Sequence, residues 1–390
     1  MSNSKLGRIL VLILVLAMVS ISLMGCGSTA QKSQDTIKIG YIGALSGDSA
    51  VWGQAGLNGM KLSAKDINAA GGILGRQVEI IGLDGRGQPV DSVNAFNKLV
   101  DIDKVLCVVG TNFSACNIAM APIADLKKVP LIGTATSNLL VTVDANGNLH
   151  PYSFRIGFTD PFQGQVLGSF AAKKLGAKTA AIITDIGSDY STGLTQYFDD
   201  EFTKDGGKTA VKVQGHSGEN DFRAQLSKIA VAKPDIVFIP WIYKDVALIA
   251  NQARELGIKS VFLGGDGWDS KELLTMAGTA LEGCYYTSQP SFANPTTKPY
   301  YDECMKEYNN LVPETEALFA HDGLYWIKDA LERAGKVDGT ALKDALETTK
   351  NFQGLMGVMT VDPKTHNPSK PASVYEIKSA KFVYVGDFKP

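Results

Sequence analysis

At 390 residues the chain has room for two or three domains of ordinary size and for more than one core. Apolar residues make up 45% and charged residues 20%, proportions that exclude disorder, coiled coil and collagen. With 38 Lys and Arg against 40 Asp and Glu the net charge is only −2, which provides no field for holding nucleic acid.

In chain order, Lys5 and Arg8 precede an apolar run from Ile9 to Met24, and small residues follow from Gly25 to Ala30. This layout predicts a secretory leader over 1–25. At 1.5 Å per residue the run spans about 24 Å, short of the ~30 Å hydrocarbon core, so a permanent transmembrane helix is the weaker reading. Residues 26–35 form a polar tether. Short apolar runs then alternate with helix-length amphipathic runs. Strands are predicted over 37–44, 77–83, 105–110, 130–133, 179–184, 209–214, 236–240 and 260–263, and helices over 54–69, 90–100, 162–175, 192–204, 222–231 and 246–256. Strand, helix, strand repeated in this way predicts parallel sheets with crossover helices.

So many units exceed what one open sheet usually holds, and a single closed barrel would need one continuous series. Here the alternation breaks at 146–158 and again at 287–299, stretches that carry Gly147, Pro151, Gly157, Pro290, Pro295 and Pro299. The expected fold class is therefore α/β, with two doubly wound parallel-sheet lobes. After Pro299 helices are expected over 300–309, 316–334 and 339–348, and strands over 373–377 and 382–385.

The chemistry of an enzyme is missing from the sequence. There is no G-x-x-x-x-G-K-[ST] phosphate loop and no G-x-S-x-G elbow. His150, His216, His321 and His366 lie far apart, and His321-Asp322 are neighbours on a predicted helix, about 100 degrees apart in direction. Cys107, Cys116, Cys284 and Cys304 show no CxxC spacing, so neither a zinc site nor a defined disulfide framework is indicated. No cofactor and no metal are expected.

Ile39-Gly40-Tyr41-Ile42-Gly43-Ala44-Leu45-Ser46-Gly47 with Trp52-Gly53, and Asp66-Ile67-Asn68-Ala69-Ala70-Gly71-Gly72-Ile73-Leu74-Gly75-Arg76, are two local sequences of marked character. They resemble the branched-chain amino-acid-binding proteins of ABC transporters. Val109 to Ser114, Val129 to Ile132, Asp185 to Gly193, Ala253 to Gly257 and Gly264 to Gly267 extend the likeness in order over nearly the whole mature chain. Leu23-Met24-Gly25-Cys26 resembles the bacterial lipobox, which implies lipid attachment at Cys26 and an exported protein, in the periplasm or anchored to the outer face of the cytoplasmic membrane.

The resemblance implies the type I periplasmic-binding-protein fold with a three-crossing hinge: lobe one from 36–156 and 289–370, lobe two from 157–288 and 371–390. It implies a small amino acid, branched-chain or otherwise apolar, held between the lobes and passed to an ABC permease by a monomeric, non-enzymatic protein. A non-amino-acid ligand such as an amide, urea or aromatic acid, or a sensory receptor module, is the alternative. Enclosing a zwitterion costs several kcal/mol per ion unless each charge is matched. By the resemblance Ser114 takes the carboxylate at a helix start, Ala135 and Ser137 take the ammonium with a carbonyl and a hydroxyl, and Asp266 neutralises it from the other lobe. Trp52 and Tyr190 flank the ligand, Trp241 adds to the wall, and Asn112 with Phe113 reshapes the pocket where the family carries a small disulfide between positions occupied here by Gly87 and Phe113.

Overall fold

A computed structural model describes residues 36–388 of the chain. The leader, the tether and Cys26 lie outside the described residues. Two sheets organise everything else.

The first lobe opens with β1 (Ile37–Gly43), α1 (Ala50–Ala69), β2 (Val78–Asp84), α2 (Pro89–Asp101), β3 (Val108–Val109), α3 (Ser114–Lys127), β4 (Leu131–Gly133) and β5 (Ser153–Arg155). Its sheet runs β2-β1-β3-β4-β5 with every pair parallel. Ile37, Ile39, Tyr41, Val109, Ile132 and Phe154 are buried against the helices. The short strand β5 falls inside the 146–158 break, where the sequence shows no apolar run long enough to announce it. Three residues suffice because both faces are covered.

The second lobe comprises α4 (Asp160–Ser169), β6 (Thr179–Asp185), α5 (Asp189–Lys204), β7 (Lys208–Gly215), α6 (Arg223–Ala232), β8 (Ile236–Phe238), α7 (Tyr243–Glu255), β9 (Val261–Gly264), α8 (Lys271–Ala277) and β10 (Tyr285–Ser288). The chain then returns to the first lobe with α9 (Lys298–Glu307), α10 (Glu316–Ala334), α11 (Gly339–Glu347) and a small antiparallel sheet of β11 (Phe352–Gly354), β12 (Gly357–Val361) and β13 (Pro368–Ser369). It crosses a third time and finishes with β14 (Ala372–Lys378) and β15 (Lys381–Phe388). The second sheet runs β15-β14-β10-β9-β8-β6-β7, parallel from β10 to β7, with β14 antiparallel to β10 and to β15. Two open sheets, each flanked by helices, replace any single barrel.

Two sequence features take roles that the sequence leaves open. Pro122 sits inside α3 without ending it, and the helix starts at Ser114. Asp322, next to His321, is fully buried and accepts from the amides of Leu355 at 2.8 Å and Met356 at 3.1 Å, so it fastens the turn between β11 and β12 to α10. Cys107, Cys116, Cys284 and Cys304 are buried free thiols.

Candidate functional site

The strands of both lobes deliver their following loops to one cleft. Between β3 and α3, the Asn117 carboxamide accepts from the amide of Thr111 at 2.8 Å and its hydroxyl at 3.1 Å, and donates to the carbonyl of Gly110 at 3.3 Å. That brace fixes where α3 begins. The Ser114 hydroxyl does not cap its own helix. It accepts from the Asn138 amide at 3.3 Å; no side chain caps the start of α3, the end of a helix that favours negative charge, and Ser114 and Ala115 there line the cleft.

The loop after β4 is held from below. The buried Arg155 guanidinium donates to the carbonyls of Thr136 at 3.2 Å, Asn138 at 2.6 Å and Leu139 at 3.4 Å. Five guanidinium donors in a rigid fork suit such a task better than any other side chain. The loop is thereby kept in one shape with Ala135 toward the cleft.

In the second lobe, Asp266 follows β9 and Tyr190 opens α5. The Asp266 carboxyl accepts from Gln163 Nε2 at 3.3 Å, the Asp266 amide donates to Gln163 Oε1 at 3.3 Å, and the Gly267 amide donates to Tyr190 Oη at 3.1 Å. Gly265 makes this possible: a Cβ there would stand 2.4 Å from Tyr190 Oη and 2.8 Å from Gln163 Oε1. Burial pushes the Asp266 carboxyl up to about 7, against the hydrogen bonds from Gln163 and Tyr190 that favour the anion.

These parts enclose a cavity of about 800 Å³, lined by Trp52, Asn112, Phe113, Ser114, Ala135, Tyr190, Ile242, Asp266, Glu316 and Phe319 among others. That volume falls in the upper range of small-ligand pockets. The first lobe reaches across its mouth. Trp52 Nε1 donates to the Asp269 carbonyl at 3.2 Å, and its ring meets Tyr243 edge-on at 4.9 Å. Tyr243 Oη donates to the Asp48 carbonyl at 2.9 Å, Lys244 pairs with Asp48 at 2.9 Å, and Asn138 Nδ2 donates to the Asp189 carbonyl at 2.7 Å. With both lobes bonded to each other around a hollow, the arrangement is that of a closed clamp.

Of the residues singled out from the sequence, Trp52, Asn112, Ser114, Ala135, Tyr190 and Asp266 share this cavity. Two do not reach it. Trp241 is fully buried in the second lobe's core, its indole donating to the Ile183 carbonyl at 2.7 Å and meeting Phe222 edge-on. A hydrogen bond to a buried carbonyl turns the ring inward, and Ile242 takes the wall position. Ser137 is buried and is not among the residues that line the cavity. Phe113 and Gly87 do stand face to face: a Cβ on Gly87 would lie 3.2 Å from the Phe113 ring. Glu316, Phe319 and Gln163 belong to the site without any signal in the sequence that marks them. Glu316 looks there like an ordinary first-turn helix acid.

A family model described as periplasmic binding protein matches residues 36–381 of this chain. The chain belongs to the periplasmic binding protein family. This binding protein is similar to a leucine-, isoleucine-, valine-, threonine- and alanine-binding protein of Pseudomonas aeruginosa, 27% identical over 88% of this chain and 90% of the relative. Among solved structures it resembles a leucine-binding protein of Thermotoga maritima, with a TM-score of 0.84 and 33% identity over 91% of this chain and 99% of that one. It also resembles a branched-chain amino acid transporter substrate-binding protein of Streptococcus pneumoniae in complex with isoleucine, with a TM-score of 0.83 and 30% identity over 91% and 100%. The fold is the type I periplasmic-binding-protein fold, and the family is one of exported solute-binding proteins serving ABC transporters, not of enzymes.

Proposed function

We propose that this binding protein captures an amino acid between its lobes and presents the closed form to an ABC permease. The carrying observation is the pairing of opposite charges across one cavity: free amides of α3 with Ser114 on one side, Asp266 on the other. In this reading the ligand carboxylate lies on the α3 amides and the Ser114 hydroxyl. The ammonium lies on the Ala135 carbonyl and Asp266, drawing the Asp266 carboxyl fully to its anion. Ser137 acts from behind by shaping the loop. The side chain lies along Trp52, Phe113, Ile242 and Phe319, an apolar wall that supports at least an aliphatic stem, as in the relatives named for leucine, isoleucine and valine.

Closure follows from contacts made only when the lobes meet, with Asp266 and Tyr190 brought to a ligand already seated on the first lobe. An aromatic acid is the less supported guest. A solute-binding protein of Rhodopseudomonas palustris at 25% identity is solved with 3,4-dihydroxybenzoic acid, but here an anion without an ammonium would leave Asp266 unmatched. The reading includes a monomer held to the membrane through Cys26 after removal of 1–25, with lobes at 36–156 plus 289–370 and 157–288 plus 371–390.

Titration calorimetry of ligand-free protein with each of the twenty amino acids tests the core claim. Binding of at least one, weakened roughly tenfold or more by Asp266→Asn, is expected. No heat from any of them would sink it.

A further inference from the structure

The wall of the cavity carries a second carboxyl that a simple amino acid leaves without a match. Glu316, at the start of α10, is only 5% exposed and lines the cavity together with Asn112, Ser114 and Asp266. Among the described residues no Lys, Arg or His is ion-paired with it. The Thr134 and Tyr41 hydroxyls lie beside it, and the charged group that acts on it is Asp266, which repels it. Gly56 of α1 allows it to sit there, since a Cβ at Gly56 would come within 2.9 Å of Glu316 Cγ.

The charges can be counted. A ligand carboxylate is met by the amides of α3, and a ligand ammonium by Asp266. Glu316 then stands unpaired in the same enclosed space, and isolated buried carboxylates are strongly disfavoured. Farther out the lining adds Asp48, Asp91, Asp185, Asp189, Asp245 and Asp269 against only Arg86 and Lys244, and Lys244 is already paired with Asp48. The cavity of about 800 Å³ persists with the lobes in contact, so it has length to spare for an extended guest. Asn112, which lines the same cavity, supplies a carboxamide oxygen that accepts from a donor.

Resting on the amino-acid reading above, we infer that the guest is an amino acid with a positively charged side chain, its aliphatic stem against Trp52 and Phe113 and its terminal ammonium or guanidinium on Glu316 and Asn112. This replaces the apolar side chain that the resemblance implies. Glu316 is then the specificity-determining residue, discriminating by charge as Asp266 does for the α-ammonium.

Calorimetry with lysine, arginine, glutamine and leucine on ligand-free protein, wild type and Glu316→Gln, decides it. Lysine or arginine is expected to bind the wild type at least tenfold more tightly than leucine or glutamine. Glu316→Gln is expected to cut that preference by roughly 10- to 100-fold, the worth of a hydrogen bond to a charged group. Leucine or glutamine binding as tightly as lysine and arginine would overturn the inference while leaving amino-acid capture standing. Equal weakening of all four ligands by Glu316→Gln would overturn it too. If none of the four nor any other amino acid binds the wild type, the underlying reading fails instead. Should Glu316→Gln not fold, the wild-type ranking of the four ligands decides alone.

Discussion

Replacing Glu316 by glutamine should make the ligand-free protein less sensitive to alkaline pH. Burial, with Asp266 adding repulsion, raises the Glu316 carboxyl from the ordinary value of 4.5 to about 8. Below 4.5 the folded and unfolded chains both hold the proton, and the side chain makes no pH-dependent difference. Between 4.5 and 8 the unfolded chain has released it while the folded chain retains it. Stability therefore falls as pH rises through this window, at about 1.4 kcal/mol per unit. From pH 5 to pH 7.5 the accumulated loss is about 3 kcal/mol, and glutamine, which does not titrate, escapes it. For a chain of this size an unfolding entropy of ~2.1 cal/mol/K per residue turns 3 kcal/mol into about 4 °C. Thermal melts of dialysed wild type and Glu316→Gln at pH 5 and pH 7.5 should show the variant gaining about that much on the wild type at the higher pH. Parallel shifts for the two proteins would refute the claim that this carboxyl is desolvated and uncompensated.

Tyr243→Phe keeps the ring against Trp52 but loses the bond to the Asp48 carbonyl, so affinity should fall about 3- to 10-fold, chiefly through faster ligand release in stopped-flow traces. Lys244→Ala removes only an exposed pair with Asp48 and should weaken binding less than about fivefold at physiological salt. Gly56→Ala would set a Cβ 2.0 Å from Tyr41 Oη; urea titration should show a loss of about 1 to 3 kcal/mol, and an undiminished midpoint would contradict the packing of α1 on β1. In a form starting at Thr36, Cys107, Cys116, Cys284 and Cys304 are buried, and burial holds their thiols above the ordinary range. Ellman's reagent should find no fast-reacting thiol until denaturant is added, and four afterwards.

The alternation of strand and helix was legible because buried parallel strands read as apolar runs bounded by turns. The motifs around Ser114, Ala135 and Asp266 were legible because each follows such a strand directly. Side-chain direction was not. Trp241 follows a strand just as the true lining residues do, yet its indole hydrogen-bonds backward to Ile183, and spacing along the chain carries no trace of that choice. Glu316 was hidden for a different reason. Its neighbours in the cavity, Asn112 and Asp266, are far from it in sequence, and only the chain's return from β10 into the first lobe brings α10 beside α1. The strand Ser153–Arg155 escaped because three residues carry too little periodicity to register, although Arg155 within it braces the loop after β4.

Trp52 belongs by chain position to one lobe and by its surroundings to the other's core, beside Tyr243. Swinging the halves apart must draw this indole into water, and wetting a ring of about 150 to 250 Å² at ~25 cal/mol/Å² works against that movement by a few kcal/mol. This buried ring supplies part of what holds the two halves together, so a guest's own contacts need supply only the remainder. Indole emission, dimming or shifting red as the jaws part, would report that motion without any added label.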